Sequence, residues 1–386
     1  MMSYNRISLA VIFGFLSVFL WGCSKDKDVE PPAALVPFAA KLSVQKLWVA
    51  SVGAKNPLLR MALAPAIADG HVYVAAQDGV IRDLKASSGH ELWRAATKLA
   101  LSAGPSVGGG LVLAGSSDGQ VVALDERTGV LKWKVRVSGE VLSAPVVSAT
   151  AVVVRTVDGR VRALTIDTGH ELWSNEEQVP RLTLRGTATP VIAGDAVLCG
   201  FDNGKIAAYS ITNGDVLWDT AISPPRGRTE LERMVDIDGH VEVSGHEVFV
   251  AGFQGRVAML GLESGQIWWS HEASSNHGLT VDDQRVFVSL SDSKVQALAR
   301  KDGTTVWTQE ALARRALTAP VLDDSALVVA DFEGYLHWLD RDTGALLARI
   351  VTKKKSRISN APVVVDGVVY VQTDAGQLYA FRAHAR

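Results

Sequence analysis

Asp125-Glu126-Arg127-Thr128-Gly129-Val130-Leu131-Lys132-Trp133 is one copy of a pattern that runs the length of the chain. Its core, Gly-x-x-x-Trp, recurs at Gly89/Trp93, Gly129/Trp133, Gly169/Trp173, Gly214/Trp218, Gly265/Trp269 and Gly303/Trp307, and again at Gly344 with Ala348 in the Trp slot. Successive glycines lie 40, 40, 45, 51, 38 and 41 residues apart. Periods of this size mark a propeller, a solenoid or a repeat array.

Two further signals keep the same phase. A Pro preceded by Ala, Thr or Gly stands at Pro65, Pro105, Pro145, Pro190, Pro320 and Pro362, ahead of apolar runs such as His71-Val72-Tyr73-Val74-Ala75. Turn pairs then follow at Asp78-Gly79, Asp118-Gly119, Asp158-Gly159, Asn203-Gly204, Gln254-Gly255, Glu333-Gly334 and Ala375-Gly376, with Ser293-Lys294 in the sixth unit. Asp-Gly and Asn-Gly supply the positive φ of a tight hairpin. Each unit therefore reads as Pro, strand, hairpin, strand, Gly turn and a Trp-bearing strand, with a further strand before the next Pro. Four short antiparallel strands in about 40 residues describe a propeller blade.

Unit starts at 65, 105, 145, 190, about 241, about 279, 320 and 362 give eight blades, Val241 and Leu279 standing where Pro would be. The eighth lacks a Trp strand. Val44-Gln45-Lys46-Leu47-Trp48 carries a Trp with no hairpin before it, so this first strand is expected to complete the last blade and cover its edge. The expectation is an all-β, eight-bladed propeller over residues 41–386. One Trp per blade (Trp48, Trp93, Trp133, Trp173, Trp218, Trp269 and Trp307) spreads around the ring and cannot converge on a ligand. These indoles are expected between neighbouring blades, each N–H on a backbone carbonyl of the adjoining blade.

The 386 residues carry 39 Lys+Arg against 41 Asp+Glu, a formal charge of −2, and lack the clustered basic surface that nucleic acid requires. The one basic run, Lys353-Lys354-Lys355-Ser356-Arg357, reads as a solvated loop. Residues 1–22 read as a signal peptide, with Arg6 ahead of the short apolar stretch from Ile7 to Gly22. Residues 23–40, polar and Pro-rich, read as a flexible tether. The only other Cys, Cys199, lies in Ala196-Val197-Leu198-Cys199, a buried-strand pattern in which a thiol behaves as a small hydrophobe.

The chain offers little catalytic chemistry. No His pair has the spacing of a helical metal site, no Gly-rich loop fits a nucleotide and no Gly-x-Ser-x-Gly elbow occurs, so no metal, cofactor or catalytic residue is expected. His337 is expected to fill a strand. Function is more readable where blades exceed their repeat, since long loops on a rigid scaffold carry binding. Two loops do so, around Val179-Pro180-Arg181-Leu182-Thr183-Leu184-Arg185-Gly186 and from Ser223 to Asp238.

The Gly-x-x-x-Trp units resemble the quinoprotein β-propeller superfamily over residues 44–381. Leu20-Trp21-Gly22-Cys23, Leu182-Thr183-Leu184-Arg185-Gly186, Thr229 to Asp238 and Glu333-Gly334-Tyr335-Leu336-His337-Trp338 narrow the resemblance to the BamB family of lipoproteins. That resemblance implies a lipidated Cys23, with Ser24 after it directing the anchor to the outer membrane on its periplasmic face. It also implies a non-enzymatic scaffold of the β-barrel assembly machinery. Such a scaffold docks on the periplasmic POTRA domains of BamA, reaches the other subunits through it, and assists nascent outer-membrane proteins. The family's docking residues fall on Leu182, Leu184, Arg185, Asp236 and Asp238. Both segments precede the start of consecutive blades, which places them side by side on one rim; Arg185 could face a partner or bridge to Asp236 or Asp238.

Two alternatives belong to other classes. A quinone-dependent dehydrogenase would, by resemblance, want adjacent cysteines and calcium ligands, and the chain has no Cys-Cys pair. A periplasmic propeller with another protein partner is the other.

Overall fold

Each apolar run of the repeat is buried on both of its faces, which only stacked sheets can achieve. In the computed structural model, residues 30–53, 61–186 and 188–386 are described, so the signal peptide and Cys23 lie outside the described residues. Ala33–Arg386 form one unit, distinct from Met1–Pro32. The unit contains eight four-stranded antiparallel sheets. The second blade, for example, runs Leu101–Gly108, Leu111–Ser116, Gln120–Asp125 and Leu131–Arg136. Its two middle strands are almost wholly buried, and its outer strand alternates exposed and covered residues. Hydrophobic clusters form between blades: Val72 and Val74 of the first pack with Tyr370, Leu378 and Ala380 of the eighth.

Leu42–Ser51 closes the ring. It pairs antiparallel with Gln377–Ala385, Leu42 opposite Ala385 and Ser51 opposite Gln377, and so becomes the outer strand of the eighth blade.

The fourth strand of each unit was expected before the Pro; in the second blade it does start there, Leu101–Gly108 containing Pro105 at a register shift, but in five other blades it lies after the Pro. Ala66–Ala68, Val146–Val147, Val191–Ala193, Val321–Asp323 and Val363–Val365 each begin directly behind their Pro and are the first strand of their sheet. Pro cannot donate to a ladder, so it stands where the innermost strand begins. Two hairpins also differ in detail. In the fifth blade Gln254 takes the positive φ (47°), while Gly255 makes room for Ser223 Oγ. In the sixth, Ser293 occupies the left-handed position (φ 66°) after Asp292.

All seven expected tryptophans lie between blades. Each indole N–H donates to a carbonyl in the third turn of the next blade: Trp48 to Ala86, Trp93 to Glu126, Trp133 to Ile166, Trp173 to Ile211, Trp218 to Leu262, Trp269 to Arg300 and Trp307 to Arg341, at 2.6–3.1 Å. The repeat's Gly does more than open its own turn. A Cβ on Gly89 would come within 2.6 Å of Trp48 Cε3, and Gly344 stands in the same relation to Trp307. Ala348 now has a reason: in the eighth blade the turn that would receive its Trp is replaced by the junction between Gln377–Ala385 and Leu42–Ser51.

Residues 33–40, expected to be part of a flexible tether, are fixed to the seventh blade. Arg315 Nη1 donates to the Ala33 carbonyl and Arg349 Nη1 to that of Val36, both at 3.1 Å, and the Arg349 guanidinium sits 5.0 Å from the Phe38 ring centre. Leu35 joins the cluster of Leu312, Leu317 and Phe287. Composition suggested a tether because it does not register carbonyls that two arginines can reach. His337 behind them is buried between Asp331 and Arg349. Cys199 is fully buried and burial pushes its thiol up to about 12, in keeping with a packing role. Lys353, Lys354 and Lys355 are exposed.

Candidate partner-docking site

The connections between blades converge on one end of the central channel. A cavity of about 300 Å³ there is lined by residues that precede each innermost strand, among them Ala62, Leu142, Leu184, Arg185, Asp238, His277 and Asn360. The two long loops therefore meet at the channel mouth.

The loop 182–186 is tightly turned. Thr183 Oγ1 accepts from the Arg185 N–H at 3.0 Å, and Arg185 takes a left-handed φ of 57°. Leu184 N–H donates to Asp236 Oδ2 at 2.9 Å. Gly186 lies against the Asp238 carboxylate so closely that any Cβ would collide with it, which is why that position has no side chain. Leu182 is 40% exposed and the Arg185 side chain 63% exposed, whereas Leu184 is half-buried.

The partner loop is held from within. Ile237 is fully buried against Gly200, its N–H on the Phe201 carbonyl, and the Asp236 carbonyl accepts from Phe253 N–H at 2.7 Å. The flanking carboxylates thus project to the same side. At the loop's far tip, Glu232 Oε2 accepts from the N–H groups of Arg228 and Thr229, leaving Leu231 in solvent.

The five residues read from the sequence come together as two adjoining loops, but their roles divide. Asp236 is fully buried and does not reach solvent. Its carboxyl is pushed up to about 8, by burial first and then by Asp238 and Asp202, with the Leu184 N–H and Arg155 pulling the other way. Arg185 bridges to neither aspartate. Its Nη2 binds Glu140 at 2.7 and 2.9 Å, in the connection between the second and third blades.

Sequence reasoning missed Glu140, Asp202 and Arg155. Asp202 stands directly before the Asn203-Gly204 turn pair, where an Asp is ordinary. Arg155 did leave a signal, a charge inside the run Val152-Val153-Val154-Arg155. It is 1% exposed, and its Nη2 lies 2.6 Å from Asp202 Oδ1.

Comparisons with known proteins agree with this architecture. The family model described as outer membrane protein assembly factor BamB matches residues 77–309 and 291–385. The outer membrane protein assembly factor BamB of Xanthomonas campestris pv. campestris is 36% identical over 98% of each chain. Among solved structures, BamB from Moraxella catarrhalis superposes with a TM-score of 0.81 at 26% identity, covering 88% of this chain and 100% of that one. Quinohemoprotein alcohol dehydrogenase from Comamonas testosteroni reaches 0.70 at 13% identity, covering 88% of this chain and 76% of that one, a likeness of fold alone. The repeat, the ring and the relatives together place the chain in the family of the outer membrane protein assembly factor BamB, and not among the dehydrogenases that share its propeller.

Proposed function

We propose that the protein is a non-enzymatic scaffold of the β-barrel assembly machinery, tethered to the periplasmic face of the outer membrane through a lipidated Cys23. It docks on the POTRA domains of BamA by the loop Leu182–Gly186 and thereby assists the folding and insertion of outer-membrane barrels. One observation carries the reading: an aliphatic and a guanidinium, Leu182 and Arg185, stand exposed on a loop whose backbone is fixed from below by buried Asp236. A prearranged loop loses little freedom on binding, and a few such anchors can carry most of an interface's energy. The Arg185–Glu140 pair is solvent-exposed and contributes little by itself, so the guanidinium can exchange Glu140 for a partner carboxylate. Asp236 and Asp238 serve this surface by holding the loop.

The test is Arg185→Glu in the full-length lipoprotein. BamA co-purification from solubilised outer membranes should be lost, while the melting temperature stays near the parent's, since surface substitutions move stability by about 0.5 kcal/mol at most. Undiminished capture of BamA by the folded variant overturns the reading. In parallel, Cys23→Ala should leave the membrane fraction, because acyl chains supply the anchoring energy.

A further inference from the structure

Beneath the docking loop, three carboxylates converge from two blades. Asp202 comes from the Phe201–Gly204 hairpin of the fourth blade, and Asp236 and Asp238 from the connection leading into the fifth. One oxygen of each lies within 4.8 Å of the others. Asp236 is fully buried, and its Oδ1 has no hydrogen-bond partner among the described residues although its Oδ2 holds the Leu184 N–H. An orphaned carboxylate oxygen in the interior is costly, because its desolvation is uncompensated. Arg155 supplies one positive charge and occupies Oδ1 of Asp202. A bound cation would hold all three carboxylates in the ionised form, and Arg155 alone would then offset one of their three charges.

We propose that Asp202, Asp236 and Asp238 form a binding site for a divalent hard cation of the calcium class. Calcium takes six to eight oxygens at about 2.3–2.6 Å, so ligand oxygens on one ion lie up to about 5 Å apart, the spread found here. Its two charges cancel the residual charge of the cluster. The orphaned Oδ1 of Asp236 gains a ligand, Asp202 contributes the oxygen that Arg155 leaves open, and water completes the shell. The Asp-x-Asp spacing has a physical sense here: fully buried Ile237 between the two aspartates fixes the backbone so that both carboxylates turn to one side. The site adjoins the channel-mouth cavity, which Asp238 also lines, and involves no organic cofactor. Occupation would bind the fourth blade's hairpin to the loop before the fifth and, through Asp236 and Leu184, stiffen the loop that the docking proposal uses. Cation binding itself needs no partner protein, so the experiment below stands or falls independently of docking.

The experiment uses the full chain, stripped with chelator and titrated with CaCl2. Calorimetry should register a single saturable site, and the melting temperature should rise with the same midpoint. Extracellular calcium modules bind at roughly 10⁻⁴–10⁻³ M, so titration to about 10 mM covers the range. Asp238→Asn, at a half-buried position, should keep the fold and lose both the heat and the shift; Asp236→Asn should do the same. Glu140→Gln, outside the cluster, should retain both. Absence of heat and shift in the parent overturns the proposal, as does an undiminished response in folded Asp238→Asn, which would put the ion elsewhere.

Discussion

The backbone N–H of Leu184 donates to Asp236 Oδ2 at 2.9 Å, across 52 positions of the chain. A buried side chain in one loop thereby sets the backbone of another. Asp236→Ala removes the acceptor and should cost about 1–3 kcal/mol, the usual penalty for leaving a buried donor unsatisfied. It should also weaken BamA capture, although Asp236 itself cannot touch a partner. Asn keeps an acceptor oxygen and should restore capture. Thermal unfolding and co-purification of the two variants check this, and equal capture by both would refute it.

Stability should also depend on pH through the same residue. The folded Asp236 carboxyl is pushed to about 8 from an ordinary 3.8, so the folded state keeps a proton that the unfolded chain releases. Its contribution is therefore full below about pH 4 and is lost as pH rises through about 8. Asp238 and Asp202 oppose ionisation and Arg155 favours it. In chelator, melting temperatures from pH 5 to 9 should fall more steeply for the parent than for Asp236→Asn; matching slopes would contradict the assignment.

The glycines of the repeat permit a comparison of packing with backbone strain. Gly265 has φ 64° and lies against the Trp218 indole, whereas Gly110 has φ 76° with open space where a Cβ would go. Gly110→Ala should lose only the left-handed backbone term, about 1–2 kcal/mol. Gly265→Ala adds overpacking, typically a further 1–3 kcal/mol. Urea unfolding of the pair measures the difference directly.

Restoring the repeat's consensus at its one exception should fail. Ala348 is buried and has no facing turn to accept an indole N–H. Ala348→Trp is expected to lower the melting temperature, where a consensus argument would have it rise.

Eight blades were legible because Gly-x-x-x-Trp, the turn pairs and Pro each mark a different strand boundary, and all three share one phase. The innermost strands were misplaced relative to Pro because two or three residues, such as Val146–Val147, are too short to show a period. The docking loops stood out by length. What local sequence could not show was which side of each residue is covered: Asp236 and Arg185 are both charged loop residues, yet one is fully buried and the other mostly exposed. The Glu140 partner and the Asp202–Arg155 pair come from other blades, and no spacing within a repeat encodes them.

The pairing of Leu42–Ser51 with Gln377–Ala385 sets the order of events when the chain folds. Gln377 and Ser51 are 326 positions apart, and a chain is made amino end first. The first strand must wait for the last nine-residue strand, the only neighbour it has in its sheet. Until then the growing molecule lacks the contact between its first and eighth blades, and uncovered apolar surface of this kind favours aggregation. Closure can therefore come only after the last strand has been made, and a stop codon a few residues early would leave an unsealed arc where a ring should be.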